Sequence, residues 1–389
     1  MGSFQSKATN PISDFETLYQ QAMNLIEEEN PQFNTIPEEL KQDFLNLNDL
    51  IENEQLELIK KLSQIKNLPK EMEDVVKKFP YFNTLPDCIL KEIGYFIKDN
   101  PKDLNALVTT DRRTYTLFQP DRILSHFLQH VAYGERDRVE KKFSQFMPKQ
   151  EEKQQSLLRN PGTFTDYSGR TFHCTAYEYA YWAKDKHMCR MLEQLMDETT
   201  KARMLKCCEA IEKNGLTYKQ SGVLVKGSKH FDFTPLKNAL RNYIDGYDSW
   251  YSTKNWTAME NAWMQVGLAQ RELPVHVINE YCRKDRSFDP THQFNEETLP
   301  WELSFYNYNT DMDSTLFPLV VSASSGLGVD FALFGVTGKA WGAARCGAGV
   351  EWLRIELAAV ERLDEVRTAD RTQSRENLKP VDPMHELGN

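Results

Sequence analysis

The chain has 389 residues, of which 40% are hydrophobic and 27% charged, with a formal net charge of -10 at pH 7. That length suggests roughly two to three domains, and the apolar share is enough to bury at least one sizeable core. The acidic balance argues against non-specific nucleic-acid binding, which needs Lys and Arg to displace counterions, and against docking on an anionic membrane surface.

Residues 1–10 lack the basic start and apolar run of a secretory signal peptide. Residues 11–78 are rich in Glu, Gln, Asn, Lys and Leu, with Phe44, Leu47, Ile51, Leu58, Leu62 and Ile65 at helical spacing. Pro37-Glu38-Glu39 reads as a first turn with acids placed well for the helix dipole. Residues 1–78 are therefore expected to form a helical extension.

The next unit, 79–121, holds three short helical patterns. Pro86 suits a first turn, where its missing N–H costs nothing. Ile89, Leu90, Ile93, Phe96 and Ile97 then make one broad apolar face. Asn100-Pro101 breaks that helix, a second carries Leu104, Leu107 and Val108, and a third opens near Thr110 with Tyr115, Leu117 and Phe118. So short a unit cannot build a large core alone, so part of its apolar surface should face a neighbour or a partner.

Residues 122–282 are expected to be a helical domain. Ile123, Leu124, Phe127, Leu128 and Val131 form one stripe and Val139, Phe143 and Phe146 the next, with a left-handed cap at Gly134 between them. Residues 148–170, with Pro148, Pro161, Gly162 and Gly169, predict a loop or domain edge, and the polar run 149–155 a solvated face. Helical spacing returns over 175–212 and stops at Gly215. A hairpin around Val223 and Val225 follows, then helices over 235–250, 256–269 and 275–281. Trp256, Met259, Trp263 and Val266 are spaced for one buried face, and with Trp250, Tyr251, Tyr243 and Tyr247 they form an aromatic block. That block is read first as core and second as a partner-binding groove.

Residues 283–315 look irregular, and 283–371 are expected to form a small α+β region. Strands are predicted at 319–321, 331–334 and 353–357, a helix over 358–371, and a flexible tail over 372–389. Asp330 and the glycines make 316–336 a better pair of buried strands than a membrane span. The fold class is thus mainly α, with a small α+β C-terminal part.

Several constellations could carry chemistry. The run Ser322-Ala323-Ser324-Ser325-Gly326-Leu327-Gly328 resembles a glycine-rich dinucleotide turn, but only about 60 residues follow, too few for repeated βαβ units. A tight turn between strands is expected instead. His276, Cys282 and Asp289 could supply base, nucleophile and acid, and so could His173 beside Cys174, yet neither set has a local signature that fixes its geometry. In an extended stretch His173 and Cys174 would point to opposite faces. The seven cysteines are odd in number and, like the eight histidines, lack paired ligand spacing, so no disulfide framework, metal or cofactor is expected.

The pattern Leu85-Pro86, Ile89-Leu90, Ile93, Ile97, Leu104, Leu107, Arg113 and Leu117 resembles the F-box motif, departing from it at Thr109-Thr110. The resemblance implies docking on the Skp adaptor of a cullin–RING ubiquitin ligase through Leu85, Pro86, Ile89, Leu90, Ile93, Ile97, Leu104 and Leu107, with a second domain presenting a target protein. The segments 128–134, 165–172, 177–183 and 277–283 are similar to Legionella-type translocated effectors. That likeness implies synthesis in the bacterial cytoplasm, Dot/Icm type IV secretion and action in the host cytosol. Thr175-Ala176-Tyr177-Glu178-Tyr179-Ala180 and Thr234-Pro235-Leu236 resemble first turns of ankyrin helices, without the repeat of about 33 residues, so the helical pairs are degenerate at best. The expected function is an F-box-like adaptor recruiting host target proteins. The alternatives are an effector enzyme, with its site at 326–330 or around Cys282, or a scaffold that makes no ligase contact.

Overall fold

The computed structural model describes residues 20–24, 36–46, 112–144, 151–316, 326–336, 339–341 and 350–380, with single positions between 58 and 74. The chain divides into two compact units, Met1–Gln119 and Pro120–Asn389. In the first unit, α1 (Glu38–Leu45) begins after Pro37 with Glu38 and Glu39 in its first turn, and it buries Phe44. Helix α2 (Arg112–Ala132) contains Pro120.

In the second unit, α2 ends where Gly134 takes a φ of +67° and the Glu135 N–H donates to the His130 carbonyl at 3.0 Å. Helix α3 (Arg136–Ser144) follows, and then α4 (Glu151–Arg159). Helix α4 corrects the reading of 148–170 as a loop, and it divides the run expected to be a solvated face: Glu151, Glu152 and Lys153 are exposed, whereas the two glutamines turn inward. Gln154 and Gln155 are buried because their amides serve main-chain ends: Gln154 Nε2 donates to the Phe143 carbonyl at 3.2 Å and Gln155 Nε2 to the Leu195 carbonyl at 2.9 Å. A polar run can thus sit inside when its amides replace water at exposed helix ends.

Strands β1 (Gly162–Thr165) and β2 (Arg170–Cys174) form a hairpin whose turn is set by Asp166. Its Oδ1 accepts from the main chain of Ser168 and Arg170, each at 3.0 Å, while Gly169 takes a φ of +78°. Three helices follow: α5 (Ala176–Ala183), α6 (Lys186–Gln194) and α7 (Glu198–Asn214). A capping box starts α5, with Thr175 Oγ1 accepting from the Glu178 N–H and Glu178 Oε2 from the Thr175 N–H. Gly215, at a φ of +70°, stops α7 as its position predicts. Strands β3 (Leu216–Gln220) and β4 (Val223–Ser228) complete an antiparallel sheet in the order β1-β2-β3-β4, in register through Phe164↔Phe172↔Tyr218↔Val225.

Helices α8 (Thr234–Ser252) and α9 (Trp256–Arg271) pack as a hairpin joined by three residues, and α10 (Val275–Cys282) follows. The irregular reading of 283–315 is corrected at its end. Strands β5 (Ser304–Asn307) and β6 (Met312–Thr315) pair there, with Phe305 and Asn307 alternating inward. With β7 (Ala332–Phe334) and β8 (Lys339–Trp341) they form a second sheet in the order β6-β5-β8-β7, in which only β5 and β8 run parallel. The strand predicted at 331–334 is β7; the one at 319–321 lies outside the described residues.

Residues 353–357 are not a strand, and the helix does not wait for Ala358. One helix, α11 (Val350–Asn377), covers them and continues past 372, where a flexible tail is expected, burying Ser374 and then Leu378 beyond its end, while 381–389 lie outside the described residues. Leu353, Ile355 and Leu357 alternate by accident. The working period is helical and runs through Leu353, Glu356, Val360, Leu363 and Arg367, two of them charged, which is why apolar spacing alone misread it.

The fold is mainly helical, and one apolar core runs through the second unit from Phe127 to Leu378, built on Trp182, Trp263, Tyr177, Tyr181, Tyr243 and Tyr281. No helix among the described residues is long and apolar enough to cross a membrane.

Candidate functional site

The positions expected to dock on the Skp adaptor, Leu85, Pro86, Ile89, Leu90, Ile93, Ile97, Leu104 and Leu107, lie outside the described residues. The glycine-rich run is described from Gly326 onward, and there it is a tight turn. Gly328 N–H donates to the Phe331 carbonyl at 2.9 Å, and Val329 and Asp330 N–H to the Gly326 carbonyl. These donors are used within the turn. A Cβ on Gly267 of α9 would come within 2.4 Å of the Gly328 nitrogen, so the turn is seated directly on the helix backbone.

The nucleophile candidates are placed for packing. His173 is exposed and Cys174 buried, on opposite faces of β2. His276 and Cys282 are both buried on α10, six residues apart and so on different sides of the helix, while Asp289 is exposed. Burial pushes the Cys282 thiol up to about 12, far from the thiolate that attack requires.

The largest electrostatic feature is a seam of buried charge between α10, the segment after it, and α11. Glu280 and Arg367 are both fully buried and 3.3 Å apart. Arg286 also reaches Glu280 and lies 3.2 Å from Glu296, while Arg283 forks onto Asp285. Arg367 further donates to the Phe294 carbonyl at 3.0 Å and to Asp370 at 2.9 Å. Burial pushes the Glu280 carboxyl up, against the pull of the three guanidiniums. A second set ties α11 to the junction of α5 and α6: Lys184 meets Asp364 at 2.7 Å and Thr368 at 3.0 Å, and Lys237 of α8 meets Asp364 at 2.8 Å. Burial also lowers His187 to about 3, and His276 lies well below its ordinary value, its Nδ1 3.9 Å from Asp185. The buried charges at the centre of the seam, Glu280 and Arg367, face each other across the fold, while Asp285 at its edge is exposed. The chemistry of the seam is that of a structural tie.

The outward-facing chemistry lies at the α8–α9 bend. Along α8, Tyr243, Tyr247 and Tyr251 stand at i, i+4 and i+8, so their rings share one face. The ladder starts in the core, where Tyr243 meets Trp263 edge to face at 5.6 Å, and climbs through Tyr247 to Tyr251, stacked at 5.8 Å and 12°. Trp256 closes it edge to face on Tyr251 at 5.7 Å. Tyr251 is 57% exposed and Trp256 53%, so Trp256 leaves the buried face on which its spacing placed it, while Met259, Trp263 and Val266 occupy that face. The physical reason is its position as first residue of α9, beyond the end of the core. The i, i+4, i+8 tyrosine spacing was the available signal for the ladder. A cleft of about 450 Å³ opens elsewhere in the unit, between 134–140 and 299–301, with Trp301 half-exposed and its Nε1 donating to the Tyr133 carbonyl.

A family model described as the CBUA0006 C-terminal domain matches residues 235–378. The uncharacterized protein CBUA0006 of Coxiella burnetii (strain RSA 493 / Nine Mile phase I) is 34% identical over 295 residues, spanning 72% of this chain and 82% of the relative. The chain belongs to the CBUA0006 family. The CBUA0006 C-terminal domain takes in α8 through α11. It therefore includes the aromatic ladder and the Glu280–Arg367 seam, while Lys184 and Lys186, which the seam reaches, lie before it. No solved structure matches the chain.

Proposed function

We propose that the chain is an adaptor acting in a host cell, with one end docked on the Skp adaptor of a cullin–RING ubiquitin ligase and the aromatic ladder holding the target protein. The observation that carries the target-binding half is the exposure of Tyr251 and Trp256 side by side at the end of a ladder anchored in the core. Large aromatics held rigid in water are the side chains that most often anchor protein interfaces. Their backing by Tyr243 and Trp263 means that little side-chain freedom is lost on binding. The docking half is supported by the sequence pattern Leu85-Pro86, Ile89, Leu90, Ile93, Ile97, Leu104 and Leu107. Delivery from the bacterial cytoplasm into the host cytosol by type IV secretion is supported by the effector-like segments 165–172 and 177–183.

The test is a pull-down with the intact chain. It should capture the Skp adaptor, and Leu85→Ala with Pro86→Ala should lose it while circular dichroism stays unchanged. Absence of capture at micromolar concentration sinks the ligase reading. Secretion is checked separately by fusing the chain to a reporter enzyme that works only in host cytosol.

A further inference from the structure

Two of the effector-like segments, 165–172 and 177–183, meet at a cavity that the adaptor reading does not use. It has a volume of about 210 Å³ and is lined by Arg170, Trp182, Tyr218, Phe231, Asp232 and Glu272, among others. For scale, a cavity of about 150 Å³ admits benzene, so this one holds a ligand of roughly ten heavy atoms.

Arg170 lies at the floor and is only 2% exposed. The Asp166 turn holds it there. Nε donates to Asp166 Oδ2 at 2.8 Å and Nη2 to Ser168 Oγ at 3.1 Å, and Tyr179 OH steadies the same carboxylate at 3.3 Å. The side-chain hydrogen bonds of Arg170 run through Nε and Nη2, and the guanidinium lines the cavity. The walls are aromatic. The guanidinium carbon stands 5.1 Å from the Trp182 ring centre and 5.4 Å from that of Phe231. Tyr218 packs edge to face on Trp182 at 5.6 Å. Trp182 is itself fixed, by Nε1 donating to Ser228 Oγ at 2.9 Å and by its carbonyl accepting from the Phe231 N–H at 2.8 Å. The remaining charge is at the rim, where Asp232 and Glu272 are exposed and Gln220 Nε2 donates to the Glu272 carboxylate.

We infer that this cavity binds a small zwitterion of the α-amino-acid type, its carboxylate on Arg170 at the floor and its ammonium at the Glu272 rim. The order of charges selects the class. A simple anion must pass two carboxylates to reach the floor, and a simple cation meets a guanidinium once inside. A ligand carrying both charges satisfies both ends, and its carbon body lies against the three rings.

Calorimetry and thermal shift on the intact chain test this with L-serine, L-leucine and L-phenylalanine, each beside its N-acetyl and amide derivatives. At least one free amino acid should bind saturably and raise Tm, with both of its derivatives roughly tenfold weaker or worse. Glu272→Gln, an exposed substitution, should keep the fold and weaken the free amino acid roughly tenfold, leaving the N-acetyl form unaffected. Arg170→Lys removes the guanidinium, but it also disturbs the Asp166 turn that Arg170 holds, so the Glu272 variant carries the decision. A flat response to all three amino acids, equal binding of derivatives, or an unchanged affinity in Glu272→Gln overturns the assignment.

Discussion

The α10–α11 seam and the α8–α9 bend belong to one unit, yet each inverts the usual placement of side chains. The seam puts Glu280, Arg286 and Arg367 inside, and the bend puts Tyr251 and Trp256 outside. The costs differ in kind. Each buried ion loses several kcal/mol of hydration, returned only through well-placed partners, so the seam adds little net stability while fixing where α11 sits. The exposed rings leave the core intact and lose only the burial they could have had. One inversion serves position within the fold; the other leaves a surface free for something outside it.

The strongest way to break that contrast is to remove the shared carboxylate. Glu280→Gln strands the facing guanidiniums and should lower unfolding stability by about 3–5 kcal/mol in urea titration. A loss below about 1 kcal/mol would mean that the seam is already wet and idle.

A sharper probe is the other buried carboxylate of α11. Glu356 is fully buried and accepts main-chain bonds from Gly335 at 3.2 Å and Val336 at 3.1 Å. Burial raises it from 4.5 to about 7, against those two bonds. Between these values the folded state holds more protons than the unfolded one. Glu356 therefore stabilises least at high pH, its contribution falling as pH rises through that window and levelling above it. The stability of Glu356→Gln relative to the native chain should thus rise from about pH 5 to about pH 8, by at most about 1.4 kcal/mol per pH unit. Parallel stability curves for the two chains would show that Glu356 does not titrate in this range.

The smallest effect on stability is expected at the bend. Trp256→Ala should change unfolding by no more than about 0.5 kcal/mol, yet cost more than tenfold in target affinity, measured by capture from host extract against native chain. Equal capture would remove the ladder from the binding surface.

Much of the helical framework was legible because its signals are local. The Gly134 and Gly215 stops and the Thr175–Glu178 cap each depend on neighbours within a few residues. The β3–β4 hairpin announced itself in the same way. What escaped depends on distant partners. Gln154 and Gln155 look like surface until the Phe143 and Leu195 carbonyls arrive. Glu280 and Arg367 are 87 residues apart, and nothing in the spacing of either helix announces that they will be buried together. Of the candidate sites, the tyrosine spacing of the ladder was visible in the sequence, but the exposure of Trp256 depends on where the core ends. The Arg170 cavity was visible only as two unexplained motifs.

Helix α11 binds Lys184, Lys237 and Glu280, all of which precede it in the chain. On the ribosome these partners emerge first and wait, with their charges still hydrated and the floor above them open. The core from Phe127 onward can close only once α11 has cleared the exit tunnel and met them, so any factor that holds α11 back keeps the whole unit pliable.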